Sequence, residues 1–226
     1  SLVGSEMCIR DSKSIEREGQ DRFSLELPVD QQEFIKELYK VNPNTVVVLV
    51  AGSSWAPDED LIIPYFNAHP EMKLVLAPHV VSEDHLKEIE GKLRRPFVRY
   101  SRVTEESAAR ADCLIIDGYG LLSSIYRYGE MAYVGGGFGV GIHNVPEAAV
   151  YGVPVLIGPN NRKFREAQDL LREGGCMEVT DADTFGRTMD RLLSDGKFLA
   201  ERGRIAGQYI ERNAGASDLI FDSVKF

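Results

Sequence analysis

With 43% hydrophobic and 27% charged residues, a chain of 226 residues has the balance of a globular protein with a sizeable core, either one large domain or one domain with appendages. Its 26 basic and 35 acidic side chains give a formal charge of -9 and a pI near 5.0, which argues against broad nucleic-acid binding through phosphates. No apolar run reaches the roughly 20 residues that cross a bilayer. Cys8, Cys113 and Cys176 are odd in number and widely spaced, and the last two sit in apolar runs, as buried thiols of a reducing compartment do. His69, His79, His85 and His143 form no ligand pair with cysteine spacing, so no metal is expected.

The opening stretch SLVGSEMCIRDS has neither the basic front nor the apolar middle of a signal peptide. It resembles a translated sequencing-adaptor tail, so residues 1–12 are read as non-native and the natural protein is expected to extend further upstream. Residues 13–44 read as a linker and a helix, the helix placing Phe34, Ile35 and Leu38 at helical spacing after Asp30 and closing at Pro43. The main domain, 45–226, is predicted to begin with the β-branched run Thr45 to Ala51, a strand buried on both faces as in a parallel sheet. Gly52, Ser53 and Ser54 then make a small-residue turn, and after Trp55 comes a helix begun by Pro57 with Asp58, Glu59 and Asp60 in its first turn. Open α/β sheets bind ligands at such turns, although a well-capped helix without a ligand has the same sequence.

A second strand, Lys73 to Ala77, ends in Pro78 and His79, where a histidine is well placed for a ligand and equally at home in a solvated loop. A helix follows from about Ser82 to Leu93. Strands at Phe97 to Tyr100 and Cys113 to Ile116 come next, then a turn at Asp117, Gly118 and Gly120 into a helix with Leu121, Leu122, Ile125 and Tyr126 on its apolar face. Further strands are placed at Met131, Val153 and Cys176, with helices over Asp183 to Leu193 and Lys197 to Asn213. Seven strands alternating with helices predict an α/β fold, a Rossmann-like parallel sheet with helices on both faces.

The densest stretch is MAYVGGGFGVGIHNVPEAAVYGVPVLIG, Met131 to Gly158. It reads as a buried strand, a surface loop with Gly135, Gly136, Gly137, Gly139 and Gly141, a helix over about Asn144 to Tyr151, and a strand from Pro154 to Ile157. Glycine allows close backbone approach, and the helix start directs N–H groups and a positive dipole end at the same space, which suits phosphate. Asn144 and Glu147, three apart, share one face of the first turn, where a carboxylate fits a sugar hydroxyl better than an anion. His143 adds a further polar group, more than a helix start needs for capping. Downstream, NNRKFR brings Arg162, Lys163 and Arg165 beside this loop, facing either an anionic ligand or solvent.

Together AGSSWAPDED, LVLAPH, the long string from DCLIIDGYG to NNRKFREA and the late AGA resemble the carboxyl-terminal half of the 3-deoxy-D-manno-octulosonic acid (Kdo) transferases, over roughly Thr45 to Ile220. That family is a glycosyltransferase family of GT-B architecture, two Rossmann-like domains facing a cleft, that moves Kdo from CMP-Kdo to the lipid A precursor in lipopolysaccharide biosynthesis. The resemblance implies that Gly52, Ser53 and Ser54 and the loop Gly135, Gly136 and Gly137 line the donor phosphate, that His79 contacts the nucleotide, and that Asn144 and Glu147 reach the donor, Glu147 on the ribose hydroxyls. His143 and Lys163 complete the expected donor site, with neither metal nor cofactor. The general base, the lipid A acceptor groove and any membrane contact, at the cytoplasmic face of the inner membrane, are implied for an amino-terminal domain without counterpart in this chain. By itself the chain is expected to be soluble and inactive. Another GT-B nucleotide-sugar transferase or epimerase, or a non-catalytic nucleotide-binding module, remains as an alternative.

Overall fold

The computed structural model describes residues 47–214, so the tail, linker and helix expected over 1–44 and the end of the chain lie outside the described residues. Among the described residues there are seven strands: β1 (Val47–Ser54), β2 (Met72–Pro78), β3 (Phe97–Arg99), β4 (Cys113–Ile115), β5 (Met131–Val134), β6 (Val155–Ile157) and β7 (Cys176–Glu178). They form one sheet in the order β3-β4-β2-β1-β5-β6-β7, every neighbouring pair parallel. The helices between and after them are α1 (Ala56–Ala68), α2 (Glu83–Lys92), α3 (Glu105–Arg110), α4 (Leu122–Ile125), α5 (Pro146–Ala149), α6 (Arg165–Glu173), α7 (Ala182–Ser194) and α8 (Gly196–Asn213).

The apolar run of β1 is buried because it has a core on each side. Alternation sends Val48 and Val50 to one face, against Tyr126, Ala148, Leu170 and Ala206, while Leu49 and Ala51 face Ile62, Phe66, Leu86 and Phe185 on the other. Thus α4, α5, α6 and α8 cover one face, and α1, α2 and α7 the other. The thiols of Cys113 and Cys176 lie in these cores, and burial pushes both well above the ordinary thiol range. Among the described residues no helix is long and apolar enough to cross a membrane.

Strand β1 lies between β2 and β5, so the crossovers leave it in opposite directions and open a crevice at the carboxyl ends of β1 and β5. Two expectations are corrected there. The helix expected over Asn144 to Tyr151 is the single turn α5, which sums too few peptide dipoles to act as a strong anion site. The glycine loop is also not a surface loop at its start, since Gly135, Gly136 and Gly137 are buried. A Cβ on Gly135 would lie 2.2 Å from the Ser53 carbonyl oxygen, and one on Gly137 would lie 2.5 Å from the Gly158 Cα, so these glycines let backbones cross.

Candidate functional site

The small-residue turn is displaced from its expected place. Gly52 and Ser54 still belong to β1 and are buried, Gly52 beneath the Tyr126 ring, whose hydroxyl would meet an added Cβ at 2.0 Å. Ser53 is half-buried with φ of 51°, the one non-glycine residue with positive φ among the described residues. Such a conformation costs on the order of 1–3 kcal/mol and persists where surrounding contacts enforce it. Close by, in the first turn of α1, lie two fully buried carboxylates, Asp58 and Glu59.

Asp58 Oδ2 accepts the N–H of Trp55 (2.9 Å) and the N–H of Gly136 (2.9 Å), and its Oδ1 accepts the Tyr133 hydroxyl (2.6 Å). Three donors compensate the buried charge, and they come from the turn after β1, the loop after β5 and β5 itself. Burial, reinforced by Asp58, pushes the Tyr133 hydroxyl far above the ordinary phenol range, so it stays a donor. Glu59 Oε1 accepts the Ser54 hydroxyl (3.0 Å) and meets His85 Nε2 at 3.0 Å, whereas its Oε2 is buried without a partner. Desolvation raises the Glu59 carboxyl above its ordinary value, a rise only partly opposed by His85 and Ser54.

In front of this clamp three rings line the crevice. Trp55 stacks on His79 at 4.5 Å between centroids and 21° between planes, and His79 in turn faces His143 at 4.6 Å and 33°. The indole Nε1–H donates to His143 Nε2 (3.3 Å), which fixes the His143 proton on Nδ1 while the ring is neutral. Burial first, and the neighbouring His79 second, lower the His143 pKa from its ordinary value. His79 is tied by its backbone, its N–H donating to the Ser54 carbonyl (2.8 Å), while its ring is exposed.

Asn144 and Glu147 meet as their spacing predicts, the Asn144 amide donating to Glu147 Oε1 (2.9 Å) at the rim. In NNRKFR the asparagines carry the structure: the Asn160 side chain donates to the Gly139 carbonyl (2.7 Å), and the buried Asn161 donates to the Gly158 carbonyl (2.8 Å) and to Glu178 (2.6 Å). Arg162, Lys163 and Arg165 are all exposed, Arg165 lying 3.8 Å from Asp169. The structure therefore brings Ser53, His79, Gly135, Gly136, His143, Asn144 and Glu147 to one crevice. The Gly136 N–H is spent on Asp58 and the Gly135 N–H on the Gly52 carbonyl (2.9 Å), so neither is free for a phosphate. Sequence reasoning passed over Trp55 and gave Asp58 only a capping role, because the partner Gly136 lies 78 positions away. The signal it had was two carboxylates directly after a buried strand. No group of metal-holding side chains occurs among the described residues.

A parallel Rossmann-like sheet with its crevice at the β1/β5 switch point is one half of a GT-B glycosyltransferase fold. By sequence, the chain is a relative of the Kdo transferases. It is 30% identical to the 3-deoxy-D-manno-octulosonic acid transferase of Aquifex aeolicus over 173 residues, 73% of this chain and 48% of that protein. The transferase of Chlamydophila psittaci is 28% identical over 200 residues, 87% of this chain and 46% of that one. The chain thus spans about half the length of the curated relatives it matches. Its fold is that of the C-terminal CMP-Kdo binding domain of WaaA from Acinetobacter baumannii, with a TM-score of 0.67 at 23% identity over 80% of this chain and all of that one. A family model, the Glycosyl hydrolase family 3 C-terminal domain, matches residues 5–70, which among the described residues take in β1 and α1 but none of the glycine loop.

Proposed function

We propose that this chain is the donor-binding half of a Kdo transferase, holding CMP-Kdo in the crevice between the loops after β1, β2 and β5. In this reading the whole enzyme adds Kdo to a lipid A precursor at the cytoplasmic face of the inner membrane, and the other half supplies the general base and the acceptor groove. The observation that carries the reading is the convergence of Ser53, His79, His143, Asn144 and Glu147 on one switch-point crevice in a relative of the Kdo transferases. Glu147 is placed at the rim for ribose hydroxyls, the Ser53 turn and the rings beside it for the acidic part of the donor, and Lys163 for long-range attraction of an anion. Gly52, Ser54 and the loop Gly135 to Gly137 act in it by shaping the wall, since their side or main chains are turned to the protein interior.

Calorimetric titration with CMP, UDP and GDP tests this. CMP should bind best, and Glu147→Ala should weaken it by about 1.5–3 kcal/mol through loss of charged hydrogen bonds. Preference for UDP or GDP would move the chain to another nucleotide-sugar enzyme, and equal CMP affinity in wild type and variant would remove Glu147 from the site.

A further inference from the structure

Resting on that donor-site reading, we propose that His85 of α2 is a positioning residue, which through Glu59 and Ser54 fixes the loop after β2 that carries His79 into the crevice. The loop is tied to Ser54 at both ends. At its start the His79 N–H donates to the Ser54 carbonyl (2.8 Å). At its end His85, in the first turn of α2, meets Glu59 Oε1 through Nε2 at 3.0 Å, and the same oxygen accepts the Ser54 hydroxyl (3.0 Å). Residues 79–85 are thereby closed into a ring on Ser54, which directly follows the half-buried Ser53 with its φ of 51°. One proton makes the His85–Glu59 bond whichever partner carries it, so the tie does not depend on the titration of either.

Simple anchorage of α2 does not require this tie, because the helix is held elsewhere. Leu86 and Ile89 are buried in the core, Arg99 bonds Glu83 (2.7 Å) and Glu90 (2.6 Å), and Lys92 reaches Asp60 (2.7 Å). What His85 adds is confined to the end of α2 that leads out of the loop. The carboxylate it meets is also a costly choice for a purely structural contact. Glu59 is fully buried, its side-chain bonds to Ser54 and His85 both fall on Oε1, and Oε2 has no partner. A well-packed apolar side chain in its place would avoid that desolvation. Folded proteins break such a rule chiefly at functional sites, where the placement of neighbouring groups outweighs the stability lost.

Calorimetric titration of the 226-residue chain with CMP tests the assignment, with urea unfolding of each variant alongside. His85→Leu keeps the bulk and removes the bond, and it should weaken CMP about tenfold. His85→Gln, whose amide can still donate to Glu59, should bind CMP within about twofold of the wild type. Amide hydrogen exchange supplies a signature that a general loss of stability would not give. In His85→Leu the His79 N–H should exchange about tenfold faster while the amides of β1 and β5 keep their wild-type rates. Equal CMP affinity in the wild type and a folded His85→Leu would overturn the positioning role and leave the donor-site reading standing. So would a weakening that His85→Gln does not repair, or faster exchange spread over the whole sheet. If His85→Leu does not fold, Ser54→Ala cuts the ring at its other end, at a side chain buried away from any ligand. Weaker CMP binding with faster His79 exchange in that variant supports the role, and unchanged affinity overturns it. A wild type that binds none of CMP, UDP and GDP would overturn both the role and the donor site.

Discussion

At the scale of single residues, the crevice is organised by two buried carboxylates that differ in how well they are compensated. Asp58 has three donors, and removing it strands the N–H groups of Trp55 and Gly136 and the Tyr133 hydroxyl in the interior. Asp58→Ala should therefore cost about 3–5 kcal/mol of stability, measured by urea unfolding, because each buried unpartnered donor carries its own desolvation penalty. A loss below about 1 kcal/mol would mean that Asp58 is not the clamp between the two loops. Glu59 is undercompensated, with Oε2 unpartnered and its carboxyl raised above 4.5 by desolvation. Burial penalises its ionised form in the folded state alone. The penalty is full above the raised folded pKa, shrinks as pH falls through that value, and vanishes below 4.5, where the unfolded chain is protonated too. Relative to Glu59→Gln, the wild type should gain stability as pH falls from 7 toward 4.5, read from urea midpoints at several pH values. Parallel curves for the two proteins would show that Glu59 is not protonated in that window.

At the scale of elements, glycine marks both free surface and tight crossings, and magnitudes separate the two. In α2, a Cβ on Gly91 meets nothing within 4 Å, so Gly91→Ala should stabilise by about 0.5–1 kcal/mol through helix propensity. In α8, the same change at Gly203 sets a Cβ 2.2 Å from the Gly152 carbonyl oxygen; the overlap, worth about 1–3 kcal/mol, outweighs the propensity gain and the variant should be less stable. Thermal unfolding of both variants checks the opposite signs, and stabilisation by Gly203→Ala would mean that α8 shifts freely on the 152 turn. The same contrast explains what could be read from sequence. Strand runs such as Val47 to Ala51 were legible because burial on both faces leaves no polar position to disguise them, and α7 and α8 because their apolar residues repeat at helical spacing. The extent of α5 was not, since nothing within AAVY itself stops a helix, yet α5 ends at Ala149, ahead of the turn at Gly152 with its φ of 68°. Nor did the run of glycines disclose that Gly135 and Gly137 face other backbones, because those contacts join residues far apart in sequence.

At the scale of the whole molecule, the sheet presents one working edge, the carboxyl ends of its strands, and binding and transfer make different demands on it. Transfer of a sugar to an alcohol needs a base within hydrogen-bond reach of the attacking hydroxyl and an acceptor held against the donor carbon. The carboxylates beside the crevice are already committed: Asp58 and Glu59 are buried and bonded inward, and Glu147 takes the Asn144 amide on the side assigned to the nucleotide. His143 gives its Nε2 lone pair to the Trp55 indole, which leaves it a donor rather than a proton acceptor. The 226-residue chain is therefore expected to bind CMP and yet to transfer no Kdo to a lipid A precursor when CMP-Kdo is generated in place. Adding the amino-terminal half of a Kdo transferase, fused or as a separate fragment, should restore transfer, with the two-fragment rate rising with fragment concentration. Robust turnover by this chain alone would place the general base within it, and Glu147→Gln would then be the first variant to assay for loss of kcat.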